Sequence, residues 1–129
     1  VKSTTSNKIQ AINSLFSSDE IIEAQKLIRK IPVADNVIEY AVSLVGKTRP
    51  KSKEASNLVI SYLDWGAGPR ASQNLILAAK AHAVVHGKYS PDIEDVRAVA
   101  IPILSHRIVK NYKAEAEGIT VSDIIKSLF

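Results

Sequence analysis

Residues 64–86, DWGAGPRASQNLILAAKAHAVVH, carry the strongest structural signal in the chain. Gly68 is an acceptable N-cap and Pro69 suits the first helical position, so we predict a helix from Pro69 to about His86. Gly87 can end this helix. The segment is apolar almost all round, which is typical of a helix that other helices cover at the centre of a bundle.

Arg70 is an unusual residue for the start of this helix. Helix N-termini carry partial positive charge and unpaired N–H groups, so acidic residues are favoured there. An arginine beside free amides suits an arriving anion such as a phosphate. A guanidinium that simply turns into solvent is the alternative, and the spacing alone leaves both interpretations open.

Two helices are predicted before this segment. Ser17 and Glu20 form a capping box ahead of an apolar stripe of helical spacing, and Pro32 stops that helix. Asp35 can cap a second helix, which ends before Pro50. The inward face of the second helix would hold Val37, Ile38, Ala41, Leu44 and Val45.

Helical signals also follow the segment. A fourth helix is predicted to open near Pro91 with acidic residues in its first turn, where the helix dipole favours them. Pro102 should kink or divide it, and residues 103–112 should continue as helix. Thr120 and Asp123 form a last capping box. The fold class is therefore all-α, a small helical bundle.

The short segment 58–63 leaves the secondary structure open. Its sequence, LVISYL, suits either a short strand or a helical turn, because periodicity cannot separate the two over so few residues. The prediction of a helical bundle therefore allows one short strand pair.

Composition indicates one soluble domain of 129 residues with net charge +4 and no cysteine. Residues 1–14 are polar and lack periodicity, so we expect a flexible tail or linker there and a helical domain over residues 15–129. No apolar run is long enough to span a membrane, and no secretion signal is evident. The chain begins at Val1 without methionine, which suggests a piece of a longer cytoplasmic protein.

Several short motifs imitate known sites. Residues 66–71 fit the dinucleotide pattern G-x-G-x-x-A, but no strand with a ribose-binding acid follows the helix. Gly46-Lys47-Thr48 resembles the end of a phosphate-binding loop, yet it ends a helix instead of preceding one. His82 and His86 have the spacing of two zinc ligands, but a packed pair at a helix end is the favoured interpretation.

Neither catalysis nor nucleic-acid binding is favoured by the remaining polar residues. Glu115 and Glu117 are placed in a loop, where they would solvate the surface. Tyr62, Trp65 and Tyr89 flank basic residues, which weakly permits nucleic-acid binding. The basic residues do not share one helix face, so no nucleic-acid partner is expected.

Four motifs nevertheless occur in a specific order. They are GAGPRAS with its apolar helix, then SPDIEDV, LSHRIV and YKAEAEGIT. In this order they resemble the C-terminal lid of MoxR-family AAA+ ATPases, and the first two predicted helices, with IIEAQ and VIEYAV, fit the same lid. The resemblance covers residues 15–129. The lid of the magnesium-chelatase ATPase subunit is similar, but it matches the AEAEG segment less well.

The resemblance implies roles for three residues. Arg70 occupies the sensor 2 position, which meets the γ-phosphate of ATP, and Gly68 and Pro69 form the helix start that positions it. Gly68 stands where the family often has serine, a change that leaves the turn intact. ATP and Mg²⁺ would be cofactors of the parent ATPase, whereas the fragment alone is expected to bind neither and to have no ATPase activity.

The resemblance also implies partners and a cellular role. The partners would be the N-terminal AAA+ core of the same chain, neighbouring subunits in a hexameric ring, and proteins with von Willebrand factor A domains. The ring would use ATP hydrolysis in chaperone-like remodelling or maturation of client complexes. The alternative function is a free-standing helical adaptor or nucleic-acid-binding module with Arg70 on its contact surface.

Overall fold

A computed structural model describes residues 13–129, so most of the predicted tail, residues 1–14, lies outside the described part. The chain is mostly helical with one short strand pair, as predicted. In chain order its elements are α1 (Ser18–Lys30), α2 (Asp35–Lys47), α3 (Asn57–Tyr62), β1 (Leu63–Trp65), α4 (Pro69–Val85), α5 (Ile93–Leu104), a 3₁₀ turn (Ser105–Arg107), β2 (Val109–Lys110), α6 (Tyr112–Ala116) and α7 (Val121–Lys126).

Helix α4 lies at the centre of the bundle, where it packs against α1, α2 and α5. One side chain per turn is buried, namely Ala71, Leu75, Ala79 and Ala83. The predicted helix and its central position are confirmed, but Val84 and Val85 at its end are exposed, so the cover is incomplete. Gly87 ends the helix with φ +74°, and the Lys88 N–H donates to the Ala83 carbonyl at 2.8 Å.

Helix α2 supplies four core residues: Val37, Ala41, Leu44 and Val45. Ile38 was predicted to join them but is exposed, because it lies beside the inward stripe. The prediction that Asp35 caps this helix is wrong. Ala34 occupies the N-cap without a side-chain hydrogen bond, and Asp35 is the first helical residue, where its charge still favours the dipole.

Helix α5 begins at Ile93, so the predicted start near Pro91 is slightly early. Asp92 is the N-cap and forms a capping box with Asp95, so it stands before the first turn and not in it. Pro102 lies inside the helix, which ends at Leu104. The predicted helix over residues 103–112 is wrong beyond that point, because a 3₁₀ turn and β2 occupy most of the segment.

The strand pair joins two distant parts of the chain. β1 and β2 are antiparallel, with Leu63 opposite Lys110 and Trp65 opposite Val109 and an irregularity between these pairs. Asn111 extends the contact, since its Nδ2 donates to the Ser61 carbonyl at 2.8 Å. Segment 58–63 is therefore mainly helix α3 and contributes only Leu63 to the strand.

Helix α6 occupies the first part of the AEAEG segment that was predicted as a loop, and Glu117 is its C-cap. Glu115 and Glu117 both have partners. The Tyr62 hydroxyl donates to Glu117 Oε2 at 2.6 Å, and Lys110 Nζ lies 3.1 Å from Glu115 Oε1. Both acids thus tie α6 to neighbouring segments. Gly118, with φ +71°, ends this helix.

The first and last helices start as predicted. Capping boxes are present at Ser17 with Glu20 and at Thr120 with Asp123. Helix α1 nevertheless buries none of its residues and contacts the bundle mainly through α4. Within residues 13–129, every helix is too short or too polar to cross a membrane.

Candidate functional site

The first turn of α4 presents Arg70 to solvent. Gly68 is the N-cap, in extended conformation and without a side-chain capping bond, and Pro69 opens the helix. Arg70 follows as an exposed residue whose guanidinium has no hydrogen-bond or ion-pair partner among residues 13–129. A fixed positive charge therefore stands beside the positive end of the longest described helix, as the sequence predicted.

The turn that precedes Arg70 is bound to the end of α2 through Thr48. The Ala67 N–H donates to Thr48 Oγ1 at 2.9 Å, and the Thr48 hydroxyl donates to the Val45 carbonyl at 2.7 Å. Thr48 and Ala67 both have 0 % exposure. A buried hydroxyl that donates and accepts in this way has its direction fixed.

Arg49, which follows Thr48, binds the carbonyl group of Ala67. Arg49 Nε donates to the Ala67 carbonyl oxygen at 3.0 Å. Gly66 lies so close that an added Cβ would overlap the Thr48 carbonyl oxygen and lie 2.7 Å from Arg49 Cα. We call Thr48, Arg49, Gly66 and Ala67 the Ala67 clamp.

A cleft of about 380 Å³ opens beside this turn. Residues 49–51 and residues 64–69 line it. Trp65, which is 73 % exposed, supplies a planar apolar surface, and Arg49 and Lys51 supply positive charge. With Arg70 at the next position, these groups suit an anionic ligand that has a planar apolar part.

A second polar cluster lies at the opposite end of α4 and centres on Asp95, which is 1 % exposed. His82 Nδ1 lies 2.7 Å from Asp95 Oδ1, and Lys88 Nζ lies 3.1 Å from Oδ2. Burial raises the pKa of Asp95, but the hydrogen bonds from the Asp92 amide, His82 and Lys88 outweigh it and lower the pKa to about 2. The ionised carboxylate therefore joins the end of α4 to the start of α5.

The two histidines of α4 pack on one another. Their ring centroids are 4.1 Å apart, and His86 Nδ1 donates to the His82 carbonyl at 2.8 Å. The interpretation as a packed pair at a helix end is confirmed. Among the described residues, no three histidines or acids converge as metal ligands.

Sequence reasoning found Arg70 but missed the residues that hold and surround it. Thr48 was noticed only as the end of a false phosphate-loop motif, and Trp65 only as a weak nucleic-acid signal. Arg49 was not singled out. A residue that binds a turn 18 or 19 positions away leaves no local pattern in the sequence.

The fold and the helix start define a class of protein, a small helical lid domain whose central helix opens with an arginine. Residues 56–128 match the family model described as the AAA lid domain. Because the match covers more than half of the chain, the chain belongs to the AAA lid domain family.

Individual relatives identify the branch of this family. The chain is 32 % identical over 111 residues to the chaperone MoxR1 of Mycobacterium tuberculosis, covering 86 % of this chain and 29 % of that protein. It is 26 % identical over 123 residues to the uncharacterized protein YeaC of Bacillus subtilis, and the match covers 95 % of this chain and 36 % of that protein. The predicted resemblance to a MoxR-like AAA+ lid is confirmed.

A solved structure has the same architecture. The crystal structure of a provisionally assigned ATPase from Cytophaga hutchinsonii superposes with a TM-score of 0.79 and 35 % identity, covering 85 % of this chain and 33 % of that one. The chain thus spans about a third of the length of the relatives it matches.

Proposed function

We propose that this chain is the nucleotide-sensing lid of a MoxR-like AAA+ ATPase and that Arg70 acts as sensor 2 by contacting the γ-phosphate of ATP. The observation that carries this proposal is the exposed guanidinium at the start of α4, which has no partner among the described residues and follows a turn that the Ala67 clamp binds. Arg70 directly follows Pro69, which is the last residue of the cleft lining.

The chemistry expected of Arg70 is charge stabilisation. Negative charge shifts among phosphate oxygens during phosphoryl transfer, and a planar guanidinium can contact two of them at once. The contact is more valuable in the transition state than in the ground state, so it raises kcat. Arg70 would contribute to hydrolysis without being its catalyst.

The rest of the ATPase site would come from elsewhere. Trp65, Arg49 and Lys51 in the cleft lining are the kinds of group that would contact the planar base and the phosphates of ATP. Asp64 is the one acid among the described residues of the lining, and a single carboxylate does not make a site for Mg²⁺. In our proposal, the AAA+ core of the same polypeptide binds Mg²⁺ and cradles the phosphates.

The wider role follows from the family. The parent would form a hexameric ring in the cytoplasm and would use ATP hydrolysis to remodel or mature client complexes, some of them carrying von Willebrand factor A domains. MoxR1 is named as a chaperone, which supports this role. The lid would couple the state of the nucleotide to the geometry of the ring.

Replacement of Arg70 in the full-length ATPase tests the proposal. We expect Arg70→Ala to lower kcat for ATP by about 10- to 1,000-fold, because a charged contact to the transition state is lost. Arg70→Lys should recover part of the loss, since lysine restores the positive charge but lacks the planar guanidinium that contacts two oxygens at once. The measurement is steady-state hydrolysis, with ring assembly followed by light scattering.

The matched control is Lys126→Ala, which removes an exposed positive charge from α7 and should leave kcat unchanged. An Arg70→Ala ring that assembles normally and hydrolyses ATP at the parent's rate would overturn the proposal. Arg70 would then be a solvated side chain.

A further inference from the structure

We infer that the Ala67 clamp positions Arg70, with Thr48 and Arg49 as positioning residues that act through the Ala67 peptide groups. The inference rests on the proposed function of Arg70 and extends it to the end of α2. Neither Thr48 nor Arg49 belongs to the helix that carries Arg70, and both contact the turn before α4 through the backbone of Ala67.

The Thr48 hydroxyl fixes the N–H side of Ala67. It accepts from the Ala67 N–H at 2.9 Å while it donates to the Val45 carbonyl at 2.7 Å, so one side chain links the last turn of α2 to the turn before α4. Both bonds are shielded from water, since Thr48 has 0 % exposure. Water is therefore not available to replace either bond, and the geometry is strongly held.

Arg49 fixes the carbonyl side of the same residue. Its Nε donates to the Ala67 oxygen at 3.0 Å, so both backbone polar groups of Ala67 are held by two consecutive residues. The absence of a side chain at Gly66 allows the two backbones to meet at this distance. The turn cannot slide along the end of α2 without breaking one of these contacts.

Besides the clamp, the start of α4 is held by Ala71, which is buried in the core. Gly68 provides no side-chain cap and has nothing within 4 Å of where its Cβ would be. Arg70 follows Ala67 by three positions and precedes Ala71 by one, so the clamp and the buried Ala71 together fix the first turn of α4. A displacement of about 1 Å at a reacting group can cost about 100-fold in rate, so small movements of this turn matter.

The first test is Thr48→Val in the full-length ATPase. Valine keeps the shape and removes the hydroxyl, which leaves the Ala67 N–H without its partner. We expect kcat for ATP to fall roughly 10-fold, because Arg70 is no longer held at the position the phosphate requires. Thr48→Ser keeps the hydroxyl and should restore most of the activity.

A double-mutant cycle separates positioning from a general structural effect. When Arg70 has already been changed to Ala, adding Thr48→Val should alter kcat by less than about 2-fold, since no guanidinium is left to position. Damage spread through the domain would instead lower kcat equally in both backgrounds. Circular dichroism of each variant checks that the helices are retained.

Arg49→Lys is the second variant, and it decides the question if Thr48→Val does not fold. Lysine keeps the positive charge but lacks the Nε donor, and Arg49 is exposed, so folding should tolerate the change. We expect a smaller loss of kcat, of about 3-fold, that disappears in the Arg70→Ala background.

The outcomes for the two proposals differ. If Arg70→Ala leaves hydrolysis unchanged, the proposed function fails. If Arg70→Ala lowers kcat but the clamp variants leave it unchanged, or lower it equally with and without Arg70, only the inference about positioning is overturned. A loss that depends on Arg70 supports it.

Discussion

Gly66 and Gly68 stand two positions apart and have opposite steric requirements. A Cβ at Gly66 would lie against backbone atoms of Thr48 and Arg49, which cannot rotate away, whereas a Cβ at Gly68 would meet nothing within 4 Å. We expect Gly66→Ala to lower the free energy of unfolding by about 3 kcal/mol through overpacking. Gly68→Ala is the matched control and should change it little, by about 0.5 kcal/mol at most.

Urea unfolding of the 129-residue chain measures both variants. Gly68→Ser adds a hydroxyl that can cap α4 and should raise stability by a few tenths of a kcal/mol. Equal stability of the Gly66→Ala and Gly68→Ala proteins would show that the close approach at the clamp is not required for folding.

Asp95 makes the stability of the chain dependent on pH in the acid range. Its pKa is lowered from 3.8 to about 2 in the folded protein, so the folded state favours the ionised form. Its contribution is fully present above pH 3.8 and is lost as the pH falls through about 2. A shift of this size corresponds to about 2 kcal/mol.

The measurement compares urea unfolding of the parent chain and Asp95→Asn between about pH 5 and pH 2. Other carboxylates with lowered pKa, Glu20 and Asp123, titrate in both proteins, so the difference between the two curves isolates Asp95. We expect the stability gap to narrow as the pH falls. A gap that stays constant over this range would contradict the assigned pKa.

Helices α1 and α2 contribute very differently to the bundle. Helix α1 buries no residue, whereas α2 supplies four residues of the core. We expect a chain that begins at Val33 to keep a cooperative thermal transition within a few degrees of the parent's. Of the described elements, the deletion removes only α1, whose side chains are all at least partly exposed. A chain that begins at Ser56 should not fold, because Leu75 and the other core residues of α4 lose the partners on α2.

The second truncation corresponds to the segment that matches the AAA lid family model, residues 56–128. Circular dichroism melting of the two shortened chains tests the expectation. Cooperative unfolding of the chain that begins at Ser56 would show that α2 is dispensable and that the core is smaller than described.

The sequence predicted those elements whose signals are local. The capping boxes at Ser17 and Thr120, the start of α4 at Pro69 and its end before Gly87 depend on neighbouring residues, and all are confirmed. Strand β2 was missed because Val109 becomes a strand residue only through pairing with Trp65, far away in the chain. The local sequence after Pro102 favoured a continued helix and carried no sign of that pairing.

The candidate site also contains residues with a local sequence signal and residues that only tertiary contacts define. The position of Arg70 at a helix start follows from Gly68 and Pro69, which adjoin it. The residues that hold it do not, because Thr48 binds Ala67 through a tertiary contact and has no distinctive neighbours. A local signal can also mislead. Asp35 is a good capping residue, but it is the first residue inside the helix, and Ala34 is the N-cap.

Across the whole molecule, α4 is fixed at both ends to different neighbours. The Ala67 clamp attaches its start to the end of α2, and Asp95, through His82, attaches its other end to the start of α5. A helix of 17 residues is about 25 Å long, so these attachments are well separated. We therefore expect the three helices to behave as one rigid unit.

Trp65 gives this chain an optical property. It is the single tryptophan of the sequence, it is 73 % exposed, and it lines the cleft beside Arg70. Intrinsic indole fluorescence of the chain therefore arises from one point on its surface. Water around the ring gives long-wavelength emission. A molecule that covers the ring will change the wavelength or the intensity of this emission, so occupancy of the cleft can be followed without a label.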